Sequence, residues 1–274
     1  MDNRATTDRI YPTGEGRRAC AAACAYALAL SALLSVLAAA LPARADALGA
    51  RELVPAYFAP EGSPGPWQAM CKGGAGSVAI LNPNNGPVKR AAKQYGEAVA
   101  RCAHEGWRVI GYVYTRYGAR RLAQVKKAIK DYYLWYAGMD GVFLDEVADA
   151  PTPKLDAYYG SISQLVHEKG GIVVGNPGET ASTPWQLEYL DTVVTFEGSA
   201  TEYGSYTPSS WELAAKPQQI ANIVYAASTP TRMQEVCSQA EGGGAGFVYV
   251  TDLAGRPNPY AALPSYWSAE LEGC

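Results

Sequence analysis

The stretch Gly141-Val142-Phe143-Leu144-Asp145-Glu146 decides the fold. Successive side chains of a strand point to opposite faces. Val142, Phe143 and Leu144 place bulky apolar groups on both faces, so both must be covered, as in a parallel sheet wrapped by helices. Asp145 and Glu146 end the run, where the chain meets solvent.

Seven more β-rich runs flank it: Val54–Phe58, Ser77–Asn82, Val109–Thr115, Gly171–Asn176, Thr192–Glu197, Ile220–Tyr225 and Gly246–Thr251. Helical patterns lie between most of them. Residues 88–105 carry Val88, Ala92, Tyr95, Val99 and Cys102 at spacings of three and four, and residues 120–136 carry Leu122, Val125, Ile129, Tyr132 and Tyr136 likewise. That period gives one apolar stripe per helix. Gly106, Gly138 and Gly170 sit where left-handed cap residues belong. Eight strand–helix units without a linker or composition break predict an α/β fold, a single (β/α)8 TIM barrel. An open doubly wound sheet would carry a glycine-rich phosphate turn after its first strand. Here Phe58-Ala59-Pro60-Glu61-Gly62-Ser63-Pro64-Gly65-Pro66 follows instead.

With 274 residues, 48% of them hydrophobic, the chain can bury a core of that size. The net charge of −3 and the lack of a basic stripe exclude a nucleic-acid partner. Lys126, Lys127 and Lys130 read as one solvated helix face. Nineteen Tyr against four Phe suit a ligand with both apolar faces and hydroxyls.

Residues 1–45 read as a signal peptide. Arg17 and Arg18 close a polar region, the uncharged run 19–42 follows, and Ala43-Arg44-Ala45 offers a cleavage pattern. The mature catalytic domain is then 46–274, secreted or at the cell surface. Membrane contact would come only through this segment, as an uncleaved anchor. Cys20 and Cys24 leave with it, and Cys71, Cys102, Cys237 and Cys274 remain for two disulfides, with three possible pairings. Barrel helices run from the active rim to the opposite end. Cys71 and Cys102 fall low on adjacent helical segments, and Cys237 and Cys274 fall low near the last helix. The expected bridges are therefore Cys71–Cys102 and Cys237–Cys274.

Barrel active sites lie at the C-terminal ends of the strands. Gathered there are Tyr57, Asn82, Asn84, Tyr112, Tyr114, Asp145, Glu146, Asn176, Glu179, Glu197, Tyr225, Tyr249 and Asp252. Carboxylates, amides and tyrosines form the chemistry of a polyhydroxylated ligand. On strand six Glu197 shares parity with Thr195 and Val193, while Val194 and Phe196 suit the helix layer, so Glu197 points inward. On strand four the Asp145–Phe143–Gly141 face is taken as the inward one. Carboxylates on strands two apart converge to about 5–9 Å, the range of retaining and inverting glycosidases. The mature chain has only His104 and His167, both near helix C-termini, which disfavours a His-dependent triad or a zinc site. No cofactor is expected. A carboxylate Mg²⁺ site joined by Glu179 and Asp252 is the alternative.

The pieces Val54-Pro55-Ala56-Tyr57, Ile80-Leu81-Asn82-Pro83-Asn84-Asn85-Gly86-Pro87, Gly111-Tyr112-Val113, Gly141 to Glu146, Gly175-Asn176-Pro177-Gly178 and Phe196-Glu197-Gly198 resemble the spherulin-4-like family, in family order. The resemblance covers roughly 53–254. It implies a (β/α)8 glycoside hydrolase; characterised fungal members are endo-acting on α-1,4-linked N-acetylgalactosamine stretches of a secreted galactosaminogalactan. It also implies that the catalytic carboxylates are Asp145, Glu146 and Glu197. In the mechanism expected here, Asp145 is the nucleophile, Glu197 is the acid and then the base, and Glu146 orients Asp145 or binds a substituent at sugar C2. Tyr57, Tyr112, Tyr114 and Tyr225 would wall the groove, and Asn82 and Asn176 would bond sugar hydroxyls or an acetamido group. Asn84, Tyr249 and Asp252 complete the expected substrate contacts. The partner is a polysaccharide substrate bound by a monomer. The rival readings are a non-catalytic carbohydrate-binding protein and a structural cell-surface protein.

Overall fold

The computed structural model describes residues 50–62, 65–178, 180–181 and 183–274. The expected signal peptide and Glu179 lie outside the described residues. Eight parallel strands close on themselves in sequence order: β1 (Arg51–Ala56), β2 (Val78–Leu81), β3 (Arg108–Tyr114), β4 (Met139–Asp145), β5 (Ile172–Asn176), β6 (Thr192–Ser199), β7 (Ile220–Tyr225) and β8 (Phe247–Val250). Around them lie α1 (Pro66–Met70), α2 (Lys93–His104), α3 (Leu122–Trp135), α4 (Pro153–His167), α5 (Ala200–Tyr203), α6 (Ser210–Ala214), α7 (Pro230–Gly242) and α8 (Trp267–Gly273). A 3₁₀ turn, Pro184–Glu188, takes the place of a helix between β5 and β6. The fold is the expected single (β/α)8 barrel.

The helices start where backbone donors find caps. The Thr152 hydroxyl accepts from the Leu155 N–H ahead of α4, and Thr229 does the same for Arg232 ahead of α7. Gly106, Gly138 and Gly170 adopt φ of +83°, +90° and +73°, as the cap reading requires. His104 and His167 each end a helix. Helix α2 starts at Lys93, so Val88 and Ala92 precede the helix they were expected to stripe. No helix among the described residues is long and apolar enough to cross a membrane.

Strict alternation fails on β6. Val194 pairs with Ala221 and Phe196 with Asn222, leaving Thr195 as an extra residue. This bulge turns Thr195 away from the face of Glu197. Its hydroxyl accepts from Tyr206 and Asn222, and the Asn222 side-chain Oδ1 accepts from the Tyr203 hydroxyl in the helix layer. Val194 pairs alongside Ala221 on the inner face, contrary to the expected parity. Beyond the bulge Glu197 pairs with Ile223, and both line the barrel mouth. A second irregularity lies between Val109 and Ile110 opposite Gly141, which adopts φ +154° with the Ile172 carbonyl where a Cβ would stand. A side chain there would break the entry to β4.

Barrel closure between β1 and β8 is thin, as is the pairing of β5 with β6, where Val174–Thr192 and Gly175–Val193 stand in register. Only Arg51–Phe247 and Glu52–Val248 stand in register. Higher up, the Val250 N–H donates to Glu270 Oε1 of α8 at 2.6 Å, so a side chain replaces the missing strand partner. Glu270 and Glu52 are both buried there.

Both bridges form as expected. Cys71–Cys102 ties the end of α1 to α2 with Cα atoms 5.1 Å apart, and Cys237–Cys274 ties α7 to the residue after α8 at 5.3 Å.

Candidate active site

Asp145 ends β4, Asn176 ends β5 and Glu197 lies near the end of β6, so three polar side chains rise from adjacent strands into the mouth. They share a cavity of about 240 Å³ with Pro55, Tyr57, Phe143, Ile223 and the loop 257–260. Its walls are apolar and aromatic, and its polar groups converge at the floor.

Asn176 is the keystone. The Gly178 N–H donates to Asn176 Oδ1 at 2.9 Å, which fixes the amide orientation and sends Nδ2 toward the acids. Nδ2 donates to Asp145 Oδ1 at 3.2 Å and to Glu197 Oε2 at 2.6 Å. Two bonds diverging by about 120° from one trigonal nitrogen set these oxygens about 5 Å apart. The remaining oxygens are also held. Tyr112 donates to Asp145 Oδ2 at 2.6 Å, and Tyr260 donates to Glu197 Oε1 at 2.5 Å. Tyr57 stands between the two tyrosines, edge-on to each at 5.7 and 5.6 Å.

Burial raises the Asp145 carboxyl above its ordinary value. The Tyr112 hydrogen bond opposes this, and the charge of Glu197 adds to it. The Tyr260 hydroxyl is pushed well up, first by burial and then by Glu197, so it stays protonated and donates.

Of the expected residues, Asp145, Glu197, Asn176, Tyr57 and Tyr112 come together. Glu146 does not line the cavity. It turns out of the strand at φ +52°, and its carbonyl accepts from the Thr115 hydroxyl and the Tyr117 N–H. Tyr112 and Asn176 hold the Asp145 carboxylate, and of Glu146 it is the backbone N–H that bonds to it. Asn82 closes its own loop by accepting from the Gly86 N–H, and Asn84 is exposed on that loop. Tyr114 lies under the Arg120 guanidinium, 4.0 Å from its ring centroid, and Tyr225 packs against Gly255. Tyr249 is fully buried against Tyr260 and Trp267, out of reach of a ligand. Asp252 staples its loop through Ser265, with hydroxyl to Oδ2 at 2.5 Å. Tyr114, Tyr225, Tyr249 and Asp252 therefore do not line this cavity, because strand-end position alone does not aim a side chain into the mouth.

Tyr260 was not anticipated. It belongs to the loop after β8, where Asn258 Oδ1 accepts the Tyr260 N–H at 2.9 Å and turns the ring over the cavity. The segment Asn258-Pro259-Tyr260 was the available signal, an Asx turn at the barrel rim.

Each of the four carboxylate oxygens accepts one side-chain hydrogen bond, from Tyr112, Asn176 or Tyr260. Among the described residues, the group with metal-ligating types in reach of one another is Glu52, Glu270 and Cys274. Its sulfur is in a disulfide.

Residues 52–273 match the sequence profile of the spherulation-specific family 4, Spherulin4. Spherulin-4 of Physarum polycephalum is 30% identical over 231 residues, covering 80% of this chain and 68% of that protein. Among solved structures, Aspergillus clavatus Sph3 in complex with GalNAc aligns with a TM-score of 0.68 at 22% identity, over 82% of this chain and 96% of that one. A chitinase from Chromobacterium violaceum aligns at 0.52 and 11% identity, over 81% and 98%. These two likenesses bear on the fold. The profile spans the whole described barrel, and the Physarum relative shares its sequence across most of that length, so the chain belongs to the spherulation-specific family 4.

Proposed function

We propose that the protein is a secreted glycoside hydrolase cleaving an α-linked galactosamine or N-acetylgalactosamine polysaccharide internally, with retention of configuration. One observation carries the reading: a single amide nitrogen, Asn176 Nδ2, holds Asp145 and Glu197 about 5 Å apart. That is the carboxylate separation of retaining glycosidases, whereas inverting enzymes need about 6.5–9.5 Å to admit a water. The sugar class is supported by the family motifs and by Sph3, a structure of the same fold solved with GalNAc.

Asp145 attacks the anomeric carbon while Glu197 protonates the leaving oxygen; Glu197 then deprotonates the water that releases the glycosyl-enzyme. As acid, Glu197 gives the proton on Oε1 to the leaving oxygen, and the Tyr260 hydroxyl donates to the carboxylate that remains. Tyr112 keeps negative charge favourable on Asp145 Oδ2 despite its burial. Tyr57 and Tyr260 offer the apolar walls against which a sugar face stacks.

The test is incubation of the mature protein with galactosamine-, N-acetylgalactosamine- and galactose-containing polymers. Mass analysis of the products and their anomeric configuration at early times are the readouts. Internal fragments of the α anomer are expected. β products would overturn retention, and binding without new reducing ends would favour a carbohydrate-binding protein.

A further inference from the structure

Tyr117 has an unusual position. It lies three residues beyond the end of β3, on the same rim as the acids, with 58% of its surface exposed. Among the described residues, the other large exposed apolar side chains, Leu134 and Leu213, lie on helices. Arg116 and Tyr117 both adopt φ +54°, and Glu146 beside them adopts +52°. Bulky residues rarely occupy this region. Backbone bonds hold the conformation: Thr115 N–H to the Asp145 carbonyl at 2.8 Å, Tyr117 N–H to the Glu146 carbonyl at 2.6 Å, and Val147 N–H to the Asn176 carbonyl at 2.9 Å. Tyr117 is thereby docked onto the backbone immediately after Asp145. Its hydroxyl reaches to 4.0 Å from where a Cβ on Gly178 would stand, against the turn that orients the Asn176 amide.

A conformation that costs energy and is held by its own N–H on the Glu146 carbonyl, yet presents an aromatic ring to water, points to a ligand. Tyr57 and Tyr260 wall the cavity from β1 and the loop after β8, whereas Tyr117 stands on the β3–β5 side. Asp145, from β4, rises on the same rim between them.

We infer that Tyr117 is the stacking platform of a second subsite, taking the apolar face of a pyranose ring of the same polymer next to the ring that is cleaved. The inference rests on the glycosidase reading and deepens it, because a platform outside the cavity is what gives grip on the interior of a polymer.

Tyr117→Ala and Tyr117→Phe are compared with the parent on a length series of α-1,4-linked N-acetylgalactosamine oligomers. Tyr117→Ala is expected to raise KM about tenfold on the long oligomers and less than about twofold on the shortest one cleaved, with kcat little changed. Tyr117→Phe keeps the ring and should match the parent. Equal KM for Tyr117→Ala and parent across the series overturns the platform while leaving the glycosidase reading intact. So does an equal loss on every length that Tyr117→Phe fails to restore, since that marks a role in loop structure. If the parent cleaves none of the oligomers or polymers, the glycosidase reading falls and the platform with it.

Discussion

At the residue scale the site turns on which atoms hold Asp145 and Glu197. Replacing Glu197 by Gln keeps the bond from Asn176 in shape but removes the proton carrier, and kcat should fall about 10²–10⁴-fold with the melting temperature unchanged. Retained turnover in that variant removes Glu197 from the chemistry. Asn176→Ala frees both acids from their shared donor, and a misplacement of order 1 Å should cost about 10²-fold in kcat/KM. Tyr112→Phe gives a pH readout. Asp145 must be ionised to attack, and burial lifts its carboxyl, so the acidic limb of kcat/KM is shifted upward from the ordinary value of an Asp. Loss of the Tyr112 hydrogen bond, which lowers that value, should move the limb to still higher pH. An unmoved limb, measured from pH 3 to 8, would show that another group controls it. Asp145, Asn176 and Glu197 were legible in the sequence because each ends an apolar run, and a strand end in a barrel points at the mouth. Tyr260 was not, since it lies in an aperiodic proline-rich loop and is placed by an Asx turn.

Elements show where pattern reading stops. The eight strands appear as runs of apolar residues, and the helices as stripes, because burial imposes both periods. The Thr195 bulge was invisible, as inserting one residue leaves the composition of β6 unchanged while reversing the parity before it. Glu197 was placed inward correctly, whereas Val194, expected in the helix layer, pairs with Ala221 on the inner face. The contact between β1 and α8 was equally hidden, for Glu52 reads as the start of a strand and Glu270 as a surface residue of the last helix. Both are buried, and desolvation raises both carboxyls well above their ordinary value of 4.5. The folded state therefore keeps a proton that the unfolded chain releases. The stability this brings is present below about pH 4.5 and is lost as pH climbs toward the raised folded value. Glu52→Gln retains a neutral donor beside Glu270, so its melting temperature should decline less between pH 5 and 8 than that of the parent. Parallel declines would show that this pair does not control the slope.

For the whole molecule, fold and disulfide pairing follow from topology: helices that all descend from the active rim bring Cys71 to Cys102 and Cys237 to Cys274. Cys71→Ser with Cys102→Ser should lower stability by about 2–4 kcal/mol, read from denaturant curves, while kcat stays near that of the parent, because the bridge ties helices outside the mouth. A loss of activity at full folding would mean that the bridge also shapes the site.

The weak seam between β1 and β8 bears on the order in which the molecule is made. Strand β1 is among the first parts of the barrel to be synthesised and Glu270 among the last, and the register between first and last strands holds only two pairs without it. Until α8 has emerged, a nascent chain is an open, curled sheet with two unpaired edges. Stalled chains that stop before 267 should remain open to proteolysis, and chains extended past 274 by an unstructured tether should become resistant. Closure of the barrel is then a late event of translation, completed when the Glu270 carboxylate reaches the Val250 amide beside the two register pairs.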